Sequence, residues 1–338
     1  MATYFRCCSC RRPAVEKTLR KVLIDTDMAS DDAVALIMAL RSSAVEVLAI
    51  TVVAGNVPVG QGTQNALFTA ELCGASVPVF TGAAAPLTRE LDDAVWFHGS
   101  DGLGDHGYRP LSRTAEAGFA VDAIVRVIET NPGLEIITLG PLTNLALALG
   151  QNPQLAKNVS RCVVMGGAPC CEGNVTPAAE YNFWADPEAA RVVLRSQLPL
   201  ELVGWQLCRG EAVVKEPEIH AILALENKFA EFAIRSNDVA VRAYRTQTGE
   251  EGISLPDPTA MAILLDPALA VASSEHYMDV QVDSGITRGM SVIDRLGVAE
   301  DARNRAVWNE VLKQGRRQRV VWEMDIPGFK RALLRALA

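Results

Sequence analysis

The sequence predicts an α/β fold, a mostly parallel central sheet with helices on both faces and ligands at the C-terminal ends of the strands. Two observations carry this. β-rich apolar runs alternate with helix-like runs, and polar or glycine-rich clusters follow one strand after another. Lys21 to Ile24 reads as a buried strand that runs into Asp25, Thr26, Asp27, Met28, Ala29, Ser30, Asp31 and Asp32, and then into a helix, Ala33 to Leu40. Val45 to Val53 is a second strand ending at Ala54, Gly55 and Asn56; Gly62 to Cys73 is helical and Val77 to Phe80 a short strand. Val121 to Thr130 is a helix, Leu134 to Leu139 a strand, Leu142 to Leu149 a helix, and Cys162 to Met165 a strand before Gly166 and Gly167. Glu188 to Ser196 is helical and Leu200 to Val203 extended. A helix-rich stretch from about Glu216 to Thr248 holds Tyr244 and reads as a lid or wall. It is followed by Leu255, Pro256, Asp257, Pro258 and a helix from Thr259 to Leu265. Beyond His276, the segments at Val280 and Val282 and from Val320 to Trp322 alternate like strands. Pro327 to Leu337 reads as a closing amphipathic helix with Lys330, Arg331 and Arg335 outward. No Gly/Ser/Pro-rich linker and no internal repeat divides the chain, so residues 19–338 are expected to form one domain behind a flexible extension, residues 1–18.

Composition narrows the class of partner. Against 32 Lys and Arg stand 40 Asp and Glu, a net charge of −8, and no basic patch with interleaved aromatics occurs. Nucleic acid and anionic membrane surfaces are therefore not expected partners. No apolar run is long enough to span a bilayer, and the opening residues lack the apolar core of a signal peptide, which predicts a cytoplasmic protein. Of eight cysteines, Cys73, Cys162 and Cys208 lie in apolar surroundings, Cys7, Cys8 and Cys10 in a basic lead-in, and Cys170 and Cys171 in a loop. The paired CxxC spacing of a zinc site is absent.

The acid cluster is the chemical signal. Four carboxylates within eight residues at a strand's end repel one another and lose hydration, and a divalent cation relieves that cost. With oxygen as the only donor type, calcium or magnesium fits best. The structural alternative is that Asp25 satisfies turn amides while Asp31 and Asp32 complement a helix dipole.

DTDMASDDAVAL resembles the aspartate signature of the inosine-uridine-preferring nucleoside hydrolases, which are calcium-dependent N-ribohydrolases. The likeness continues through VVAGN (52–56), HGSDGLG (98–104), LGPLTNLA (139–146), VMGGA (164–168), NVTPAAEYNFWADPEAA (174–190) and DPTAMA (257–262), in the family's order. It implies a Rossmann-related sheet with the active site at its strand ends, and hydrolysis of a nucleoside to ribose and free base by a calcium-activated water. It further implies that Asp27, Asp32, Asp257 and the Leu139 carbonyl hold calcium, with Asp25 supporting them. Asp27 then also acts as the base that deprotonates the water. Asp31 and Asn182 would bind the 2′ and 3′ hydroxyls with Asn56 beside them, Asn174 and Glu180 would bind the 5′ hydroxyl, and Met165 would line the site. Taken singly, Asn174 reads as a loop amide and Asn182 as a helix cap.

One position departs from the family pattern. Where many members carry His or Trp before the last metal aspartate, this chain has Pro256. His98 and Tyr244 are then the residues left to protonate the departing base or stack on it. Self-association as a homodimer or homotetramer is expected from the resemblance. Two other readings stand beside this one: a phosphohydrolase of the haloacid dehalogenase type, disfavoured because Ala29 stands where Thr or Val belongs, and a non-catalytic calcium-dependent nucleoside-binding protein.

Overall fold

In the computed structural model, which describes residues 19–338, the apolar run after Leu19 forms β1 (Arg20–Thr26) and leads into α1 (Ser30–Leu40). The expected extension, with Cys7, Cys8 and Cys10, lies outside the described residues. The chain continues through β2 (Val45–Val52), α2 (Val59–Leu72), β3 (Val79–Thr81), a single turn α3 (Val95–His98), α4 (Ala120–Thr130), β4 (Leu134–Thr138) and α5 (Thr143–Gln151). There follow β5 (Val159–Met165), α6 (Tyr181–Ala185), α7 (Pro187–Leu194) and β6 (Leu200–Val203), then the helical stretch α8 (Glu216–Leu223), α9 (Lys228–Arg235), α10 (Asp238–Thr248) and α11 (Pro256–Leu265). The last part holds β7 (Ala270–His276), β8 (Met278–Val280), β9 (Ser291–Ile293), α12 (Arg305–Gln314), β10 (Gln318–Met324) and α13 (Ile326–Leu337).

Eight strands build one sheet in the order β3-β2-β1-β4-β5-β6-β10-β7. Every neighbouring pair is parallel except β7 with β10. The chain leaves β1 toward β2 and β3 on one side and resumes at β4 on the other, so the strand order reverses between β1 and β4. At such a reversal the loops diverge and leave a crevice beyond the strand ends. Alternation along β1 shows how the sheet divides the interior. Val22 and Ile24 face a core shared with α1, α2, α11 and α13, while Leu23 faces a second core shared with α4, α5 and α7. All three side chains are fully buried, as expected where helices cover both faces of a parallel sheet.

In the last third the strands expected at Val280 and at Val320 to Trp322 are present, and the structure adds to or corrects the rest. Val320 to Trp322 belongs to β10, an interior strand of the main sheet, whereas β8 pairs only with β9 in a separate two-stranded ribbon, and Val282 lies past the end of β8. β7 and α12 were not foreseen: β7 is mostly exposed on its outer edge, and α12 buries only Val311 fully, so neither carries a strong apolar period. Arg331 and Arg335 are exposed as expected, but Lys330 donates to Glu218 of α8 at 2.6 Å instead of standing free in solvent. This ion pair joins α13 to α8.

The largest fully buried side chain of α13 is Phe329, which packs in the first core. Phe329→Ala is expected to cost about 3–5 kcal/mol by loss of transfer energy and creation of a cavity. Denaturant unfolding of the full chain measures this, and a loss below about 1 kcal/mol would show that α13 is peripheral to the core.

Candidate active site

The acid cluster is shaped by one left-handed residue. After β1 the chain turns at Met28, whose φ of 56° is uncommon for a side chain of its size. Met28 is fully buried, its N–H donates to Thr26 Oγ1 at 3.1 Å, and its carbonyl accepts from Asn65 Nδ2 at 3.0 Å. The turn leaves Asp27 at the end of β1 and starts α1 at Ser30, so that Asp31 and Asp32 lie in the first helical turn. Asp257 occupies the first turn of α11, which packs along α1. Two helix N-termini, each favouring negative charge, therefore converge on one point.

At that point carboxylate oxygens of Asp31, Asp32 and Asp257 all lie within 4.8 Å of one another. The backbone N–H of Asp257 points to Asp31 Oδ2 at 3.5 Å. Asp32 accepts from the Thr26 hydroxyl and, at 2.8 Å, from the Ala29 N–H. Asp27 lies beside this trio, with Oδ2 accepting the Asn56 N–H at 2.7 Å. Asp27 Oδ1 and Asp31 Oδ1 are buried without a partner. Burial raises the pKa of all four aspartates. Asp27 and Asp257 rise furthest, the first pushed further chiefly by the charge of Asp32 and the second by those of Asp31 and Asp32. Negative charge is thus concentrated among buried groups, and two of their oxygen atoms have no protein donor. The donor set fits a hard divalent cation.

The backbone comes very near Asp27. A Cβ on Gly55 would sit 2.7 Å from Asp27 Cγ, and one on Gly140 would sit 2.8 Å from its backbone nitrogen. Only glycine lets both loops close on this residue. Asp25 does something different from its neighbours. Its Oδ1 accepts from Thr51 Oγ1 at 2.5 Å and from Asn144 Nδ2 at 2.9 Å, and burial, opposed by these two bonds, raises its pKa to about 7. It ties β1 to β2 and α5, and none of its side-chain hydrogen bonds goes to another aspartate.

Above the carboxylates opens a cavity of about 730 Å³ including its mouth, within the usual range for small-molecule sites. Ten of the residues singled out in the sequence line it: Asp31, Asn56, His98, Leu139 and Met165 on one part, Asn174, Glu180, Asn182, Tyr244 and Asp257 on the other. Asp27 and Asp32 are fully buried behind this lining. Asn182 donates to the carbonyls of Leu139 at 2.9 Å and Met165 at 3.2 Å, which fixes its side chain between two strand ends. Asn174 Oδ1 accepts the Tyr181 N–H at 2.9 Å, and its carbonyl accepts from Gln247 of α10. Tyr244 donates to Glu250 at 2.8 Å; burial, then this carboxylate, raises its pKa to about 12. His98 Nδ1 lies 2.9 Å from Ser30 Oγ, and burial lowers its pKa against the opposing pull of Asp31. Ser30, Trp205, Asn237 and Gln247 belong to the site or its support without having been singled out in the sequence. Ser30 sat in view inside the acid cluster, but nothing in its spacing linked it to His98.

Comparison with known proteins settles the family. Residues 22–331 match the model of the inosine-uridine preferring nucleoside hydrolases. The chain belongs to that family. Among its relatives is the pyrimidine-specific ribonucleoside hydrolase RihA of Shewanella woodyi, 35% identical over 303 residues that cover 88% of this chain and 95% of RihA. The pyrimidine-specific ribonucleoside hydrolase RihB of Escherichia coli is 34% identical over 283 residues, covering 82% and 88%. A solved plant nucleoside hydrolase superimposes with a TM-score of 0.88 at 30% identity, over 95% of this chain and 99% of that one. A purine-preferring ribonucleoside hydrolase from Gardnerella vaginalis gives 0.83 at 29% identity, over 94% and 98%. This nucleoside hydrolase is thus an enzyme that hydrolyses the N-glycosidic bond of ribonucleosides, and the phosphohydrolase and non-catalytic readings are not favoured. Among the described residues, no helix is long and apolar enough to cross a membrane.

Within the nucleoside hydrolase site, Glu180 is the carboxylate most enclosed by amides. It caps α6, accepting from Asn182 N–H at 2.8 Å, Phe183 N–H at 3.3 Å and Gly167 N–H at 2.6 Å. Burial outweighs these bonds and raises its pKa from 4.5 to about 7. An acid raised on folding stabilises the protein fully below its unfolded value, and that contribution fades as pH climbs from 4.5 through about 7. Glu180→Gln removes the titration. Denaturant unfolding across this window is expected to show a shallower decline with pH in Glu180→Gln than in the natural chain; parallel curves would contradict the shift.

Proposed function

We propose that the cation of this nucleoside hydrolase is calcium, held by Asp27, Asp32, Asp257 and the Leu139 carbonyl, and that Asp27 is the base for the attacking water. The observation that carries the reading is the meeting of Asp31, Asp32 and Asp257, whose carboxylate oxygens lie within 4.8 Å of one another, together with the buried, unpartnered Oδ1 atoms of Asp31 and of the neighbouring Asp27. The flexible, oxygen-rich shell of calcium suits three carboxylates and a carbonyl better than the strict octahedron of magnesium. Asp31 belongs to the close trio while Asp27 stands next to it, so Asp31, which also lines the cavity, would help to hold the cation as well as the ribose 2′ and 3′ hydroxyls. When bound, a divalent cation supplies positive charge that eases deprotonation of water.

The chain's own residues account for the rest. Asp27, pinned at Oδ2 by the Asn56 amide, keeps Oδ1 free to take a proton. Asn182, fixed by two carbonyls, presents its amide oxygen to ribose with Asn56 and Met165 beside it. Asn174 and Glu180 flank the 5′ hydroxyl. As the glycosidic bond breaks, positive charge builds at the anomeric carbon, and the surrounding carboxylates oppose it with preorganised negative charge. Pro256 lines the cavity and offers no proton. Departure of the base therefore falls to Tyr244, whose hydroxyl stays protonated at neutral pH, and to His98, oriented by Ser30. The relatives' names divide between pyrimidine and purine nucleosides, and the substrate of this chain is read as a ribonucleoside of either class. Family likeness also supports a homodimer or homotetramer, states that sedimentation velocity separates.

The test is release of free base from a panel of purine and pyrimidine ribonucleosides, with and without a calcium chelator. Turnover that stops on chelation and returns with calcium is the expected result; turnover indifferent to chelation removes the cation from the reaction. Asp27→Asn should keep the fold and lower kcat by about 10²–10⁴-fold, the usual contribution of a general base. Near-normal turnover would take Asp27 out of that role.

A further inference from the structure

The helix that delivers Asp257 is held at its other end by a row of charges that the reaction does not use. Arg20 of β1, Glu135 of β4, Arg161 of β5 and Glu201 of β6 come from four adjacent strands. Glu135 is in register with Arg161; Arg20 precedes by two residues the register partner of Glu135, and Arg161 precedes by two that of Glu201. With a side-chain period of two, all four project from the same face of the sheet, the one that carries α1 and α11. They alternate in sign and they touch. Arg20 Nη1 lies 3.0 Å from Glu135 Oε1, Arg161 Nη1 lies 3.5 Å from Glu135 Oε2, and Arg161 Nε lies 2.6 Å from Glu201 Oε2.

Both guanidinium groups also donate to α11. Arg20 donates to the carbonyls of Leu264 at 2.9 Å and Leu265 at 2.8 Å; Arg161 donates to those of Ile263 at 3.1 Å and Leu264 at 3.2 Å. The Asp266 N–H takes the carbonyl of Ala262 at 2.8 Å. All four carbonyls that end this helix are thereby satisfied, and the two cations sit at the negative pole of its dipole. Between the ends, every residue from Asp257 to Leu264 is buried, and those from Ala260 on are apolar. Apolar contacts are non-directional and do not set where a helix stops along its own axis, whereas hydrogen bonds to its last carbonyls do. The span from Asp257 to Leu264 is about 10 Å of stiff helix, so a shift at one end reaches the other.

We infer that Arg20 and Arg161 are positioning residues, which set the axial position of α11 and so place the Asp257 carboxylate against Asp31 and Asp32 for cation binding. The inference rests on the reading that Asp257 helps to hold a divalent cation. Groups that orient a metal ligand from behind usually contribute 10–100-fold to metal affinity, and the ladder acts on Asp257 through the helix instead of through a direct hydrogen bond.

Calcium binding to the full chain, stripped by chelator, is measured by isothermal titration calorimetry. Arg161→Gln is expected to weaken calcium by about 10-fold, and Arg161→Lys, which keeps the charge with fewer directed donors, to recover part of that loss. Ile128→Ala, in α4 on the opposite face of the sheet, lowers stability without touching the ladder and is expected to keep the natural affinity. If Arg161→Gln gives no soluble protein, Arg20→Gln tests the same claim, because Glu135 still has Arg161 as partner. An affinity within twofold of the natural chain in the ladder variants, or an equal loss in Ile128→Ala, overturns the inference. A natural chain that binds no calcium or magnesium overturns both the cation reading and this one.

Discussion

Repulsion among buried carboxylates is the constraint around which this molecule is arranged. Asp27 and Asp32 are fully buried, Asp31 and Asp257 show only their edges to the cavity, and burial raises the pKa of all four, joined by mutual repulsion at Asp27, Asp31 and Asp257. A fold tolerates such a site only if the surrounding structure prevents the acids from moving apart. Here that duty falls to the left-handed turn at Met28, to the close approach of Gly55 and Gly140, and to the two helices α1 and α11, whose N-termini meet over the end of the sheet. The same dipoles that help seat the acids also keep their charge directed at one point.

The two ends of the sheet have divided tasks. At the C-terminal ends of the strands, loops give up regular hydrogen bonding and present side chains to the cavity. At the opposite ends, Arg20, Glu135, Arg161 and Glu201 form a set in which each charge has a partner and both guanidinium groups also donate to α11. Ion pairs so enclosed add little net stability, since desolvation offsets their attraction. Their geometric effect is larger, because planar guanidinium groups accept few arrangements.

Much of the fold was legible because its signals are local. The alternation of strands and helices through Val203 follows from apolar runs that both faces of a parallel sheet demand, and the acid cluster announces itself by density. Asp257 became legible through resemblance of the DPTAMA segment to a family pattern. What could not be read are pairings between distant residues that leave no trace in spacing. The contact of Ser30 with His98 is one such case, and the four-strand ladder is another, since single charges near strand starts look like ordinary surface residues. Local patterning failed for β7 as well, because an edge strand with four exposed residues out of seven lacks the buried face that marks a strand. Glu180 shows a subtler limit: its place in the cavity was anticipated, but its service as the cap of α6 depends on a backbone conformation that sequence does not declare.

The position of β10 bears on how the chain reaches this state. It is inserted between β6 and β7, although it is made long after β6 and after β7 too. Until it arrives, β6 lacks its outer neighbour and β7 has nothing to pair with, so two strand edges stay open to other chains during synthesis. Closure of the sheet is therefore a long-range event that waits for a strand made late in the chain, the class of pairing whose loop-closure entropy must be met before its contacts form.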